Sequence, residues 1–302
     1  MSSSDLDPSS QERPTATAAF WDAQVSTTSS MYWGEYPLVR AYINGLVTDS
    51  WWAYPSHGFK AAWAYKPLPI GLSIGCGTGL LERDLRWLRI CEEVDAYDIS
   101  PEAIRAARAR AEVDQIDHVN YAVADCENVD YPMNRYDAVF FHGSMHHMNN
   151  PAAHLDRLVP SLKDEGLIFM DDYVGPARDE WSDAHIAEAN RAYAELPASW
   201  RTLPVLAAPY DASDPSEMLR SSAILPAIRD RFDVLWERPY WGNLLFPLLA
   251  QVNSKEAIRP ESEHLLRTLI EQEQRLVKEG VFREPLFVWI VGRKKRSTSA
   301  GA

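Results

Sequence analysis

Between Ile70 and Met170 the apolar residues fall into short solid runs, separated by longer stretches in which they recur every third or fourth position. The runs Ile70–Ile74, Val94–Tyr97, Val119–Val123, Ala138–Phe141 and Leu167–Met170 have strand length. Being apolar on successive positions, they predict strands covered on both faces. Between them, Leu81, Leu85 and Leu88 at i, i+4 and i+7 predict one helix. Ser100-Pro101, a cap followed by a first-turn proline, opens another through Ile104 and Ala107 to Ala111. Asn150-Pro151 repeats that signature before a stripe of Leu155, Leu158, Val159 and Leu162, with Gly166 as the expected stop.

Strands alternating with helices imply a parallel sheet with helices on both faces. Two later runs, Phe232–Trp236 and Leu286–Val291, complete it. The expected fold is α/β, a doubly wound, Rossmann-like, mostly parallel seven-stranded sheet with helical lid insertions in its N-terminal and C-terminal parts. The pattern divides the chain into a disordered leader at 1–15, an aromatic helical lid at 16–66, an α/β core at 67–174, and a helical cap at 175–230. The last two strands lie in 231–293 with a helical insertion at 242–284, and 294–302 is a tail. The lid segment 16–66 holds 12 of the chain's 33 aromatic residues.

Composition narrows the partners. With 46% hydrophobic residues in 302, the chain can bury a sizeable core. Its 43 acidic against 30 basic residues give a formal charge of −13, a surface that repels polyphosphate, so no nucleic-acid partner is expected. The basic cluster Arg293-Lys294-Lys295-Arg296 belongs to the tail. Three cysteines without metal-ligand spacing suit a reducing compartment. The N-terminal stretch lacks the apolar core of a signal peptide, and the most apolar segment, Trp241–Val252, is interrupted by Pro247 and far shorter than the ~20 residues of a spanning helix. A cytoplasmic protein with no membrane partner is expected, and a homo-oligomer is left open.

The densest chemical signal is Leu72-Ser73-Ile74-Gly75-Cys76-Gly77-Thr78-Gly79-Leu80, a strand running through a glycine-rich turn into a helix. Glycines there let a ligand approach the backbone and present N–H groups at a helix N-terminus. The spacing is G-x-G-x-G, and the third glycine of a dinucleotide fingerprint is replaced by Leu80, which counts against a nicotinamide-dependent oxidoreductase. Asp98, at the end of the second strand, is placed to accept hydrogen bonds from two ribose hydroxyls.

With these residues the sequence resembles the class I S-adenosylmethionine-dependent methyltransferases, of the kind that act on small molecules. The resemblance covers about residues 70–172 and rests on Gly75-Cys76-Gly77-Thr78-Gly79, Tyr97-Asp98-Ile99-Ser100, Ala124-Asp125-Cys126, Tyr136-Asp137-Ala138-Val139 and the run from Leu162-Lys163 to Gly166-Leu167. It implies S-adenosylmethionine as cofactor, with Gly75, Cys76, Gly77 and Gly79 around its methionine part. Asp98 would hold the ribose and Ile99 would pack on adenine. Asp125 would accept from the adenine amino group, with the Cys126 N–H as a second contact. The turn Lys163-Asp164-Glu165-Gly166 departs from the usual Lys-Pro-Gly-Gly, far from the ligand edge.

Strand four ends in Phe141-His142-Gly143-Ser144-Met145-His146-His147-Met148. A neutral histidine there could take a proton from an attacking nucleophile, so His146 and His147 are candidate catalytic residues beside an equally weighted structural role, and His142 a cofactor contact. Strand five ends in Asp171-Asp172. One of these acids, Asp172, is expected to orient an acceptor or hold the cofactor's ammonium while the other faces solvent. With His142 where a third acid would be needed, no metal is expected there. His57 is placed to reach the site; His118, His154, His185 and His264 read as structural. Leu244, Leu245, Phe246, Leu248 and Leu249 would line a pocket or a dimer contact. The expected partner is a small-molecule methyl acceptor. The rivals are a non-catalytic S-adenosylmethionine-binding or interaction protein and, behind it, the oxidoreductase.

Overall fold

The structure, a computed structural model, describes residues 8–26 and 31–296. Seven strands form one sheet: β1 (Leu68–Ile74), β2 (Cys91–Asp98), β3 (Val119–Val123), β4 (Tyr136–His142), β5 (Leu162–Tyr173), β6 (Phe232–Trp241) and β7 (Phe287–Lys294). Each predicted run lies on one of them. Their spatial order is β3-β2-β1-β4-β5-β7-β6. All neighbours are parallel except at β7, which runs antiparallel to both β5 and β6.

Eleven α-helices are described. In chain order they are α1 (Pro8–Val25), α2 (Pro37–Thr48), α3 (Pro55–Ala62), α4 (Leu80–Trp87), α5 (Pro101–Val113), α6 (Pro151–Leu158), α7 (Asp183–Glu195), α8 (Ile224–Arg231), α9 (Leu245–Leu249), α10 (Ser254–Ala257) and α11 (Glu263–Lys278). Side chains alternate across the strands. Phe140 and Phe169 join the cluster of Phe59, Leu85, Ile104 and Trp289 on one face. Val139, Phe141, Ile168 and Met170 join Leu155, Leu158 and Ile228 on the other. Thus both sheet faces are covered, as the solid apolar runs require. Among the described residues no helix is long and apolar enough to cross a membrane.

Four expectations change. The helix opened by Asn150, whose side chain accepts from the Ala153 N–H, ends at Leu158. Pro160 lacks the N–H that a further turn needs, and Leu162 already begins β5, so Gly166 lies inside a strand. Residues 8–15, expected as leader, belong to α1, and residues 1–7 lie outside the described residues. The segment expected as a helical cap is helical only at α7 and α8 and two single 3-10 turns; from 197 to 220 it is irregular. Leu244, Leu245, Phe246, Leu248 and Leu249 are all buried in the chain's own core, so none presents an exposed contact, and none borders the cavity at the glycine turn.

Candidate active site

The strand order reverses between β1 and β4, so the loops leaving their carboxyl ends diverge and open a crevice there. The glycine turn forms one wall. Gly75, Gly77 and Gly79 all have positive φ (66°, 51° and 76°), where a side chain is strained. At Gly75 a Cβ would stand 2.6 Å from the Ser144 Cβ, so this glycine lets the β1 and β4 loops touch. At Gly77 the space a Cβ would fill is open, and it opens onto the cavity. Arg83 at the start of α4 holds the turn from behind, donating to the carbonyls of Thr78 (2.9 Å) and Gly79 (2.7 Å). Beneath the turn, buried Glu82 accepts from the Ser73 hydroxyl, and burial pushes its carboxyl up to about 7.

Asp98 sits where the sequence predicts, at the end of β2. Its Oδ2 accepts from the Gly77 N–H (2.7 Å) and its Oδ1 from the Ser100 N–H (2.9 Å), so it braces the turn and keeps a lone pair on each oxygen for a ligand. Burial raises its pKa above the ordinary value, against the pull of those two N–H groups. Ser100, which caps α5, also donates to Asp22 of α1 (2.5 Å), so α1 is tied to the edge of the crevice. Asp125 closes the turn after β3, accepting from the Glu127 N–H (3.0 Å) and the Asn128 amide (2.6 Å). Cys126 is buried, and its carbonyl accepts from Tyr131 (2.8 Å) and Arg157 (3.2 Å).

The β4 loop forms the opposite wall. His142 is half-exposed, 3.7 Å from Asp171. At Gly143 (φ 60°) the space for a Cβ is again open. Ser144 donates to the Ile74 carbonyl (2.6 Å), pinning this loop to the end of β1.

Asp172 differs from expectation. It is fully buried and accepts from the backbone N–H groups of Ser144 (2.9 Å), Met145 (2.7 Å) and Tyr173 (2.8 Å), and its Oδ1 meets the His146 Nδ1 at 2.5 Å. Saturated in this way, it positions the histidine turn and does not line the cavity. Nor does Asp171 face solvent: successive strand residues point to opposite faces, and Asp171 is buried against the Tyr240 hydroxyl (2.8 Å).

His146 and His147 lie in a single 3-10 turn with ring centroids 4.0 Å apart. Burial lowers the pKa of His146, but Asp172 and Glu217 outweigh it and push the ring up to about 9. His147 is driven well below its ordinary value by burial and by its cationic neighbour, and stays neutral. Only His147 of the two borders the cavity, where Trp21 of α1 meets it edge-on at 5.1 Å. His57 does not reach this site; its ring packs near Trp52 and Tyr54.

One cavity of about 900 Å³ joins both walls. Gly75, Cys76, Gly77, Asp98, Ile99, Asp125, Cys126, His142 and His147 all border it; Gly79, His146 and Asp172 stand behind. Sequence reasoning missed Trp21 and Gln24 on α1, and Ser216, which border it too. The aromatic residues of 16–66 pointed toward α1 without selecting among them, since Trp51 and Trp52 are exposed and Trp33 is core. Ser216 carried no signal, lying in irregular chain 69 positions from the histidine it meets.

Residues 72–170 match the family model described as a methyltransferase domain. Among solved structures, the geranyl diphosphate C-methyltransferase from Streptomyces coelicolor A3(2) is similar over 94% of this chain and 98% of that one, at 13% identity and a TM-score of 0.56. The [4+2]-cyclase SpnF is similar over 93% of both chains, at 13% identity and a TM-score of 0.51. At such identities the likeness is one of fold. No curated protein matches the sequence. The glycine turn, Asp98 and Asp125 all lie inside the stretch that matches the methyltransferase-domain model, residues 72–170.

Proposed function

We propose that this chain transfers a methyl group from S-adenosylmethionine to a small organic acceptor at an oxygen, nitrogen or carbon atom. The observation that carries this reading is the single cavity. One end offers the turn at Gly75–Gly79 with Asp98 and Asp125, the other His142, His147, Ser216 and Trp21. The open space at Gly77 and Gly143 is a cradle that side chains would fill, which suits a ligand lying against the backbone at both walls. When bound, S-adenosylmethionine supplies an electrophilic methyl carbon on its sulfonium.

The chain's own contribution is mostly geometric. Asp98 would hold the ribose hydroxyls, Ile99 would pack on the adenine, and Asp125 with Cys126 would border the base. Gly75 and Gly77 leave room for the methionine part. Trp21 and His147 wall this end of the cavity and exclude water, so they would hold an acceptor poorly solvated beside the cofactor. The aromatic wall and the charge of −13 favour an acceptor with an apolar part over a polyanion. The structural neighbours include both a geranyl diphosphate C-methyltransferase and a [4+2]-cyclase, so turnover must be measured and not read from the fold.

The test is to supply methyl-labelled S-adenosylmethionine with an extract of small metabolites, and separately with tRNA and rRNA. Label in a small molecule alone is expected. Tight cofactor binding without any labelled product would favour a non-catalytic binding protein, and a labelled RNA band would remove the small-molecule acceptor.

A further inference from the structure

Behind the acceptor end of the cavity, two segments far apart in sequence place their metal-binding side chains together. The histidine turn contributes His146 and His147, and the irregular stretch before α8 contributes Asp214 and Glu217. Arg178 fixes that stretch by donating to the carbonyls of Asp214 (2.6 Å) and Glu217 (2.8 Å), which leaves both carboxylates free of it as hydrogen-bond acceptors. The His146 Nε2 lies 3.9 Å from the Glu217 Oε2, which is 3.8 Å from the His147 Nδ1. His146, His147 and Glu217 each offer a ligand atom within 4.8 Å of those of the other two, the single such group of metal-binding side chains among the described residues.

Two further observations point to a cation. Asp214 is 1% exposed, and its Oδ2 has no hydrogen-bond partner although it stands 3.5 Å from the His147 Nδ1. Its other oxygen is occupied by the Ser216 N–H and hydroxyl, both at 2.7 Å. An unpartnered buried carboxylate oxygen is costly unless something positive faces it. Secondly, Asp172 holds the His146 Nδ1, which fixes the ring and turns its Nε2 toward Glu217. A carboxylate behind an imidazole in this way is the usual support of a metal-ligating histidine.

The geometry points to a site for one divalent transition ion of the zinc type, held by His146, His147 and Glu217, with Asp214 beside His147 as a further buried anion. Two imidazoles with a carboxylate suit zinc and its neighbours over magnesium or calcium, which take oxygen ligands. Ligands at 2.0–2.1 Å from a tetrahedral ion stand roughly 3.4 Å apart, so the 3.9 and 3.8 Å separations of Glu217 from the two histidines need only a small inward shift. Three protein ligands leave the fourth position to a water, and the ion is a staple. It joins the stretch bearing Ser216 to the turn bearing His147, two residues that border the cavity from different segments. The acids weighed from sequence for a metal, Asp171 and Asp172, are not its ligands. The inference is independent of methyl transfer, because its readout is the ion.

The test uses the full chain, purified without chelator. Elemental analysis should find close to one zinc per chain. After the zinc is stripped, Co²⁺ added alone should give the visible bands of a four-coordinate nitrogen–oxygen site. Glu217→Gln and His147→Ala, each checked for native circular dichroism, should weaken Co²⁺ binding by ~100-fold or more, beyond what loss of a supporting partner costs. A folded protein that neither retains zinc nor develops the bands overturns the proposal. So do bands that persist unchanged in both variants, since the ion would then sit elsewhere.

Discussion

The two ends of the cavity are built on different plans. At the glycine end, the groups that border the cavity are backbone and two acids, Asp98 and Asp125, supplied by strand ends that are hydrogen-bonded neighbours in the sheet. At the histidine end, they are side chains from three separate stretches: α1, the turn after β4, and irregular chain before α8. The first plan ties ligand geometry to the sheet itself. The second leaves it to packing and side-chain pairing, so the histidine end can be rebuilt without disturbing the glycine end. The family match falls almost entirely on the first plan and takes only the β4 turn from the second.

Substitution at the glycines should separate the two plans most sharply. Gly75→Ala meets positive φ and a Cβ contact at 2.6 Å, so urea unfolding should show a loss of ~2–4 kcal/mol. Gly77→Ala meets open space and should cost only ~1–2 kcal/mol of stability while blocking the cofactor. Equal stability losses in the two variants would mean that the Ser144 contact is not what holds the loops together.

Asp98→Ala should weaken S-adenosylmethionine by about 1.5–3 kcal/mol in calorimetry, the usual value of charged hydrogen bonds. Tight NAD binding with no S-adenosylmethionine binding would overturn the assignment of this end.

Two buried acids have pKa values that burial raises to about 7: Glu82 beneath the glycine turn, and Glu273 of α11, which accepts from the N–H groups of Leu244 and Leu245. With a folded value above the ordinary 4.5, each binds more protons folded than unfolded in between. Their contribution is therefore complete below 4.5 and is lost as the pH rises toward 7. Unfolding at pH 5 and pH 8 should show a fall of roughly 1–3 kcal/mol for each acid. Glu82→Gln and Glu273→Gln should each flatten part of it, and an unchanged slope in both would place the pH dependence elsewhere.

The smallest effect belongs to α1. Trp21→Ala should lower kcat/KM for the acceptor by ~1 kcal/mol through lost ring contact. Cofactor affinity should change by less than about twofold, or ~0.4 kcal/mol. A larger fall in cofactor affinity than in acceptor kinetics would show that α1 covers the nucleoside instead.

The same contrast governs what the sequence disclosed. All seven strands could be read, because a strand buried on both faces must be apolar along its length, and Gly75, Gly77 and Asp98 could be read because local geometry demands those residues there. The histidine end could be read only as far as His142, His146 and His147. That Asp172 is a buried support depends on three N–H groups arriving from the β4 loop and its own strand, which no spacing encodes. Asp214, Ser216 and Glu217 lie where no period runs, in irregular chain. The early stop of α6 was legible after all: Pro160 stands in the predicted stripe, and it outweighed the apolar spacing.

The placement of β7 between β5 and β6 has a consequence for the order of synthesis. As the chain emerges, β6 is made some fifty residues before the strand that joins it to the sheet. Until Phe287–Lys294 arrives, β5 presents an open edge and the apolar side chains of β7 are missing from both layers. The parallel half can pair earlier, whereas the outer half must wait for nearly the last residues described. A nascent chain stalled before Phe287 would expose a sticky strand edge, and quality control would meet that edge before it met a folded protein.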